Sequence, residues 1–127
     1  MVTIEEFDLM LDGIAQEIPA EFFGGLSGGI VLREERKLHP EGTGDLYIMG
    51  EYSSRRDMGR CIYIYYGSFM CTHGYLPPEA LRGRLRATLL HELTHHLESL
   101  AGERGLEVKD RQQLEEYKRT HQTGEAV

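Results

Sequence analysis

Pro78-Glu79-Ala80-Leu81-Arg82-Gly83-Arg84-Leu85-Arg86-Ala87-Thr88-Leu89-Leu90-His91-Glu92-Leu93-Thr94-His95-His96-Leu97-Glu98-Ser99-Leu100 is the stretch on which the reading of this chain turns. Leu81, Leu85, Leu89, Leu93 and Leu97 recur every four residues, and Leu90 and Leu100 widen the stripe, so the segment reads as a long amphipathic helix from about Glu79 to Leu100. Pro78 suits the first helical position, and Gly102 or Gly105 suits the end. Inside this helix lies H-E-x-x-H. Residues four apart stand one turn above each other on one face, so His91 and His95 can turn ring nitrogens towards a single metal ion about 2.0–2.1 Å from each. Glu92 follows by about 100° of rotation, beside the pair, where its carboxylate is placed as general base towards a water activated by the metal. The competing reading is two surface histidines on an amphipathic helix. Both histidines fall beside the leucine stripe, as residues lining a cleft would.

Working outward, Thr3 to Glu17 carries helix-spaced apolar residues, with Thr3 and Glu6 forming a capping box and Pro19 ending the element. Ile30-Val31-Leu32 reads as a strand after a glycine-rich turn at 24–29, which lacks the G-K-[ST] of a phosphate loop. Residues 33–44 read as loop, Asp45 to Tyr52 as a second strand, and Cys61 to Tyr66 as a third, rich in β-branched and aromatic residues. Residues 67–78 read as irregular, and Asp110 to Thr120 as a last helix. This order predicts an α+β fold: a small sheet of about three or more strands, packed by an N-terminal helix and the long motif helix, plus a C-terminal helix. Residues 1–127 fit a single domain.

The net charge of -7 argues against nucleic acid and anionic membrane as partners, since both demand a basic face. No segment approaches the ~20 apolar residues of a membrane span. The acidic start, Met1-Val-Thr-Ile-Glu-Glu, does not resemble a secretory signal, so a cytoplasmic location is expected. Cys61 and Cys71 are expected to be free, largely buried thiols.

The helix R-G-R-L-R-A-T-L-L-H-E-L-T-H-H resembles the active-site helix of the minimal zincin-like metallopeptidase family, small bacterial proteins built around H-E-x-x-H-H. The opening helix ending in I-P-A-E-F resembles that family's N-terminus, and D-L-Y-I-M-G-E-Y its second strand. I-Y-I-Y-Y-G precedes the motif helix as it does there, so the resemblance covers most of the chain. It implies a zincin-like fold and a metal-dependent peptidase, with zinc on His91 and His95, Glu92 as general base, and a peptide or protein as substrate. The ligand set would also accept manganese, cobalt, nickel or iron.

In one respect the chain departs from the family. Its usual pattern is H-E-x-x-H-x-x-G-x-x-D, and here Glu98 stands at the glycine and Ala101 at the aspartate. Aligning past an insertion assigns the third ligand to Asp110, which would equally serve as N-cap of the last helix. Glu98, three residues after His95, and Glu115 or Glu116 are the other candidates. His96 should be packed or hydrogen-bonded, whereas His39, His73 and His121 read as surface or structural. Cys71-Thr72-His73 is a weak second metal half-site. Tyr63 or Tyr65 would be the tyrosine stabilising an oxyanion, and the sheet edge near 61–67 would take an extended peptide. The alternative function is a metal-binding or protein-interaction module that has lost turnover.

Overall fold

The computed structural model describes residues 1–55, 57, 59–104, 116, 117 and 119. Helix α1 spans Ile4–Glu17; its cap is the reciprocal pair read from the sequence, Thr3 Oγ1 accepting from Glu6 N at 3.1 Å and Glu6 Oε1 accepting from Thr3 N at 2.8 Å. A short 3-10 turn at Ala20–Phe23 leads to strand β1, Gly29–Arg33. Then come β2 (Lys37–Leu38), β3 (Tyr47–Ile48), β4 (Gly50–Arg55) and β5 (Gly59–Tyr65). Helices α2 (Tyr66–His73) and α3 (Pro78–Arg104) follow.

The main sheet has the order β1-β5-β4, with β1 parallel and β4 antiparallel to β5. The fold is therefore α+β with a small mixed sheet. β5 is its centre because it is the most apolar strand: Cys61, Ile62, Ile64 and Tyr65 are buried, and both of its hydrogen-bonding edges are taken. The edge expected near 61–67 is thus not an edge at all. β4 fills that role, facing α3.

Leu81, Leu85, Leu89, Leu93 and Leu97 all point into one core with Ile62 and Ile64 of β5 and with Phe7, Leu11 and Ile14 of α1. Helix α3 lies across β4 and β5 and also packs on α1. Its first turn begins on Pro78, as the sequence implies, but it passes Leu100 and Gly102 to reach Arg104. At the entry to β4, Gly50 brings the strand against the helix: a Cβ there would come within 2.9 Å of Thr88 Cγ2.

Four local expectations need correction. Asp45–Tyr52 is two strands, because the chain changes partner at Met49. β3 pairs with β2, β4 pairs with β5, and the Met49 carbonyl accepts from Tyr65 N at 3.0 Å. The expected loop at 33–44 contains β2, and the expected irregular stretch begins with helix α2, which buries Ser68 and Phe69. Both cysteines are free, but only Cys61 is buried; Cys71 is exposed on α2. Most of the last predicted helix, with Asp110 and Glu115, lies outside the described residues; Glu116, Tyr117 and Arg119 are helical. Among the described residues, no helix is long and apolar enough to cross a membrane.

Leu89 has no exposed surface, whereas Leu9 on α1 is 72% exposed. Leu89→Ala should therefore lower unfolding free energy by about 2–5 kcal/mol, and Leu9→Ala by less than about 0.5 kcal/mol. Urea denaturation of the pair measures the difference, and equal midpoints would refute this account of the core.

Candidate metal centre

Helix α3 presents His91 and His95 to solvent with their rings edge to face, centroids 4.7 Å apart, and their Nε2 atoms 3.2 Å apart. Two nitrogens bound tetrahedrally to zinc at about 2.0–2.1 Å would lie about 3.3–3.4 Å from each other, so the pair already has the spacing of two ligands of one ion. On the outer side of His95, Nδ1 lies 3.5 Å from Glu98 Oε1. A carboxylate there favours the hydrogen on Nδ1 and leaves the lone pair on Nε2, which is the tautomer a metal ligand requires. Glu98 thus approaches the nitrogen remote from the pair.

Glu92 is only 6% exposed. Burial pushes its carboxyl above the usual range; His95 opposes that shift, and the negative charge of Glu51 adds to it. Among the described residues, no group of three His, Cys, Asp or Glu side chains is arranged to enclose a cation. Asp110, assigned as third ligand, lies outside the described residues, as does Glu115; Glu116 is exposed.

These groups open into a cleft of about 1240 Å³ between α3 and β4. Met49, Gly50, Glu51, Tyr52 and Ser54 form the strand wall, and Arg84, Ala87, Thr88, His91, Glu92 and His95 are among the helix residues facing it. Neither Tyr63 nor Tyr65 lines it. Tyr65 instead donates its hydroxyl hydrogen to Glu51 Oε1 at 2.6 Å, and burial followed by that carboxylate pushes its pKa up to about 12. His39 and His73, read from the sequence as surface or structural, do line the cleft. His39 follows the short strand β2 and His73 ends α2, and no local pattern announces that either reaches the cleft.

His96 has no exposed surface and ties three parts of the chain together. Its Nε2 lies 2.8 Å from the Gly24 carbonyl and must donate to it. Neutral His96 then accepts at Nδ1 from the Tyr52 hydroxyl, 2.9 Å away, and Tyr52 in turn accepts from Arg60 Nη1 at 3.2 Å. The adjacent histidine is in this way an anchor that fixes α3 against β4 immediately beside His95.

Glu51 is held by two donors on one oxygen, Tyr65 at 2.6 Å and Lys37 Nζ at 2.6 Å. Desolvation raises its pKa, but the Lys37 and Tyr65 hydrogen bonds outweigh it and the net shift is downward. A carboxylate lowered on folding stabilises the native state above its ordinary value of 4.5, and that stability is lost as pH falls through the lowered value. Glu51→Gln should therefore flatten the fall in thermal midpoint on the acid side of pH 4.5. Parallel acid limbs for variant and wild type would show that Glu51 contributes nothing to this pH dependence.

No family model matches the sequence, and no curated protein does. Among solved structures, the chain is similar to a conserved hypothetical protein from Thermus thermophilus, TTHA0227, with a TM-score of 0.72 and 35% sequence identity. The match covers 80% of this chain and 99% of that one.

Proposed function

The chain belongs to the same family as the Thermus thermophilus protein TTHA0227, and on the geometry of its own residues we propose that it is a zinc-dependent peptidase of zincin-like architecture. The observation that carries this reading is the convergence of His91 and His95 Nε2 at 3.2 Å, beside a carboxylate that burial has made more basic. His91 and His95 would hold the ion, with Asp110 as the proposed third ligand. Zinc held there supplies Lewis acidity to a substrate carbonyl and to water.

The chain's own residues do the rest. Glu92 takes the proton from water on its carboxylate and passes it to the leaving nitrogen; burial raises its pKa and makes that carboxylate a stronger proton acceptor. Glu98 keeps the His95 ring turned with Nε2 inward. β4, an edge strand among the described residues, runs along the cleft and would offer its outer backbone groups to an extended peptide joining the sheet as a further strand. A metal-binding or protein-interaction module without turnover is the alternative, and one set of measurements separates the two.

Purified protein should carry near-stoichiometric zinc, lost in His91→Ala and His95→Ala. Glu92→Gln should keep the metal and lower peptide cleavage by about 10²–10⁴-fold. Cleavage surviving in Glu92→Gln would end the general-base assignment. Zinc binding with no cleavage across a broad peptide library would leave the binding module, and failure to bind zinc would remove the metal reading altogether.

A further inference from the structure

Beyond His95 the cleft is lined by Ser54, Glu98 and Ser99. Behind the two serines sits Arg60, a cation with only 9% of its surface exposed. The sheet register puts it there. Arg60 on β5 stands opposite Ser54 on β4, and Gly50, Tyr52 and Ser54 share the face of β4 turned towards α3. Arg60 Nη1 reaches Ser99 Oγ at 2.6 Å, the Tyr52 hydroxyl at 3.2 Å and Ser54 Oγ at 3.4 Å.

A guanidinium only donates, so all three oxygens accept from Arg60 and each hydroxyl hydrogen is turned elsewhere. Tyr52 gives its hydrogen to His96 Nδ1 at 2.9 Å. Ser54 and Ser99 have no such acceptor among the described residues, whereas Thr94 on the same helix donates back to the Leu90 carbonyl at 3.0 Å. Ser54 is exposed and Ser99 half-buried. Because they share one nitrogen, their oxygens lie within about 6 Å of each other, a spacing that one carbonyl oxygen bridges with two O–H···O bonds.

We infer that the hydroxyls of Ser54 and Ser99, oriented by Arg60 behind them, form a subsite for the side-chain amide of an asparagine or glutamine, about two or three residues on the N-terminal side of the bond to be cut. The inference rests on the peptidase reading and extends it to substrate selection. An uncharged acceptor suits this end better than a carboxylate, because Glu98, exposed and next to Ser99, lines it too.

Strand direction says which side of the peptide arrives. Gly50 abuts Thr88 and Tyr52 bonds His96, so β4 runs in the same sense as α3. A peptide added antiparallel to β4 runs the other way and carries its N-terminal side to Ser54. Its side chains alternate between faces, and the one opposite Ser54 points towards α3 as Ser54 does. Ser99 lies about 9 Å along the helix axis from the level midway between His91 and His95. At about 3.4 Å per extended residue, that distance is two to three residues.

The test is binding of dye-labelled, end-capped heptapeptides to the zinc-free and zinc-loaded Glu92→Gln protein, read by fluorescence polarisation. Asn, or the similarly shaped Leu, is placed at each position in turn of an otherwise constant sequence. At one position Asn should bind about three- to tenfold more tightly than Leu. Ser54→Ala/Ser99→Ala should bring that ratio to about one, and Ser99→Thr, which keeps a hydroxyl, should retain it. Should the double variant unfold, Ser99→Ala alone leaves Arg60 on Tyr52 and Ser54 and should still lower the ratio. Equal binding of Asn and Leu at every position, no binding of any probe, or a ratio undiminished in the alanine variants overturns the subsite. If the Asn preference holds but the zinc-loaded wild type cleaves no probe, the subsite stands and the peptidase reading fails.

Discussion

Burial of the Leu81/85/89/93/97 stripe fixes the rotation of α3 about its own axis, and the geometry of the site follows from that one constraint. With successive residues about 100° apart, Arg84, Ala87, Thr88, His91, His95 and Glu98 fall within an arc of about 100° on the side away from Leu89. These are residues that line the cleft. Glu92 falls at the margin of the stripe nearest this arc, so it is buried while still bordering the cleft. His96 falls on the stripe side and enters the core. One rotation of the helix thereby places the histidine pair, the buried carboxylate and the His96 anchor.

The opposite wall depends on a second division of labour. β5 takes the centre of the sheet because its apolar residues serve both the core and two neighbouring strands. β4, with Glu51, Ser53, Ser54 and Arg55, has the polar composition of an edge strand, which it is among the described residues. Gly50 permits the close approach to Thr88, and the Tyr52–His96 bond holds the same strand two residues further on. Those two contacts hold β4 against α3 along the cleft, the second of them on the histidine next to His95.

What the sequence disclosed follows the range of the interactions concerned. The Thr3–Glu6 cap, the α3 stripe, the start at Pro78 and the apolar β5 all rest on contacts within a few residues, and each was readable. Three features had no local signature. The parallel pairing of β1 with β5 joins residues about thirty apart, the split at Met49 appears only when β3 and β4 choose different partners, and α2 carries Gly67 and little periodicity. The same distinction divides the site. His91, Glu92 and His95 were legible because their relation is helical. The entry of His39 and His73 into the cleft was not, because it is tertiary. Asp110 lies outside the described residues, so the third position rests on alignment with a family pattern from which this chain departs.

Glu92 links stability to chemistry. A carboxylate whose pKa rises on folding favours the native state less as pH rises from its unfolded value through its folded one, so at neutral pH its charge works against the fold. Core packing alone would favour a leucine or glutamine at this flank of the helix. The leucine stripe carries that cost because it sets the helix rotation independently of Glu92. The counter-charge to offset it would be a cation between His91 and His95, on the neighbouring face of the helix. At the proposed metal centre, an ion there would couple metal binding to folding stability.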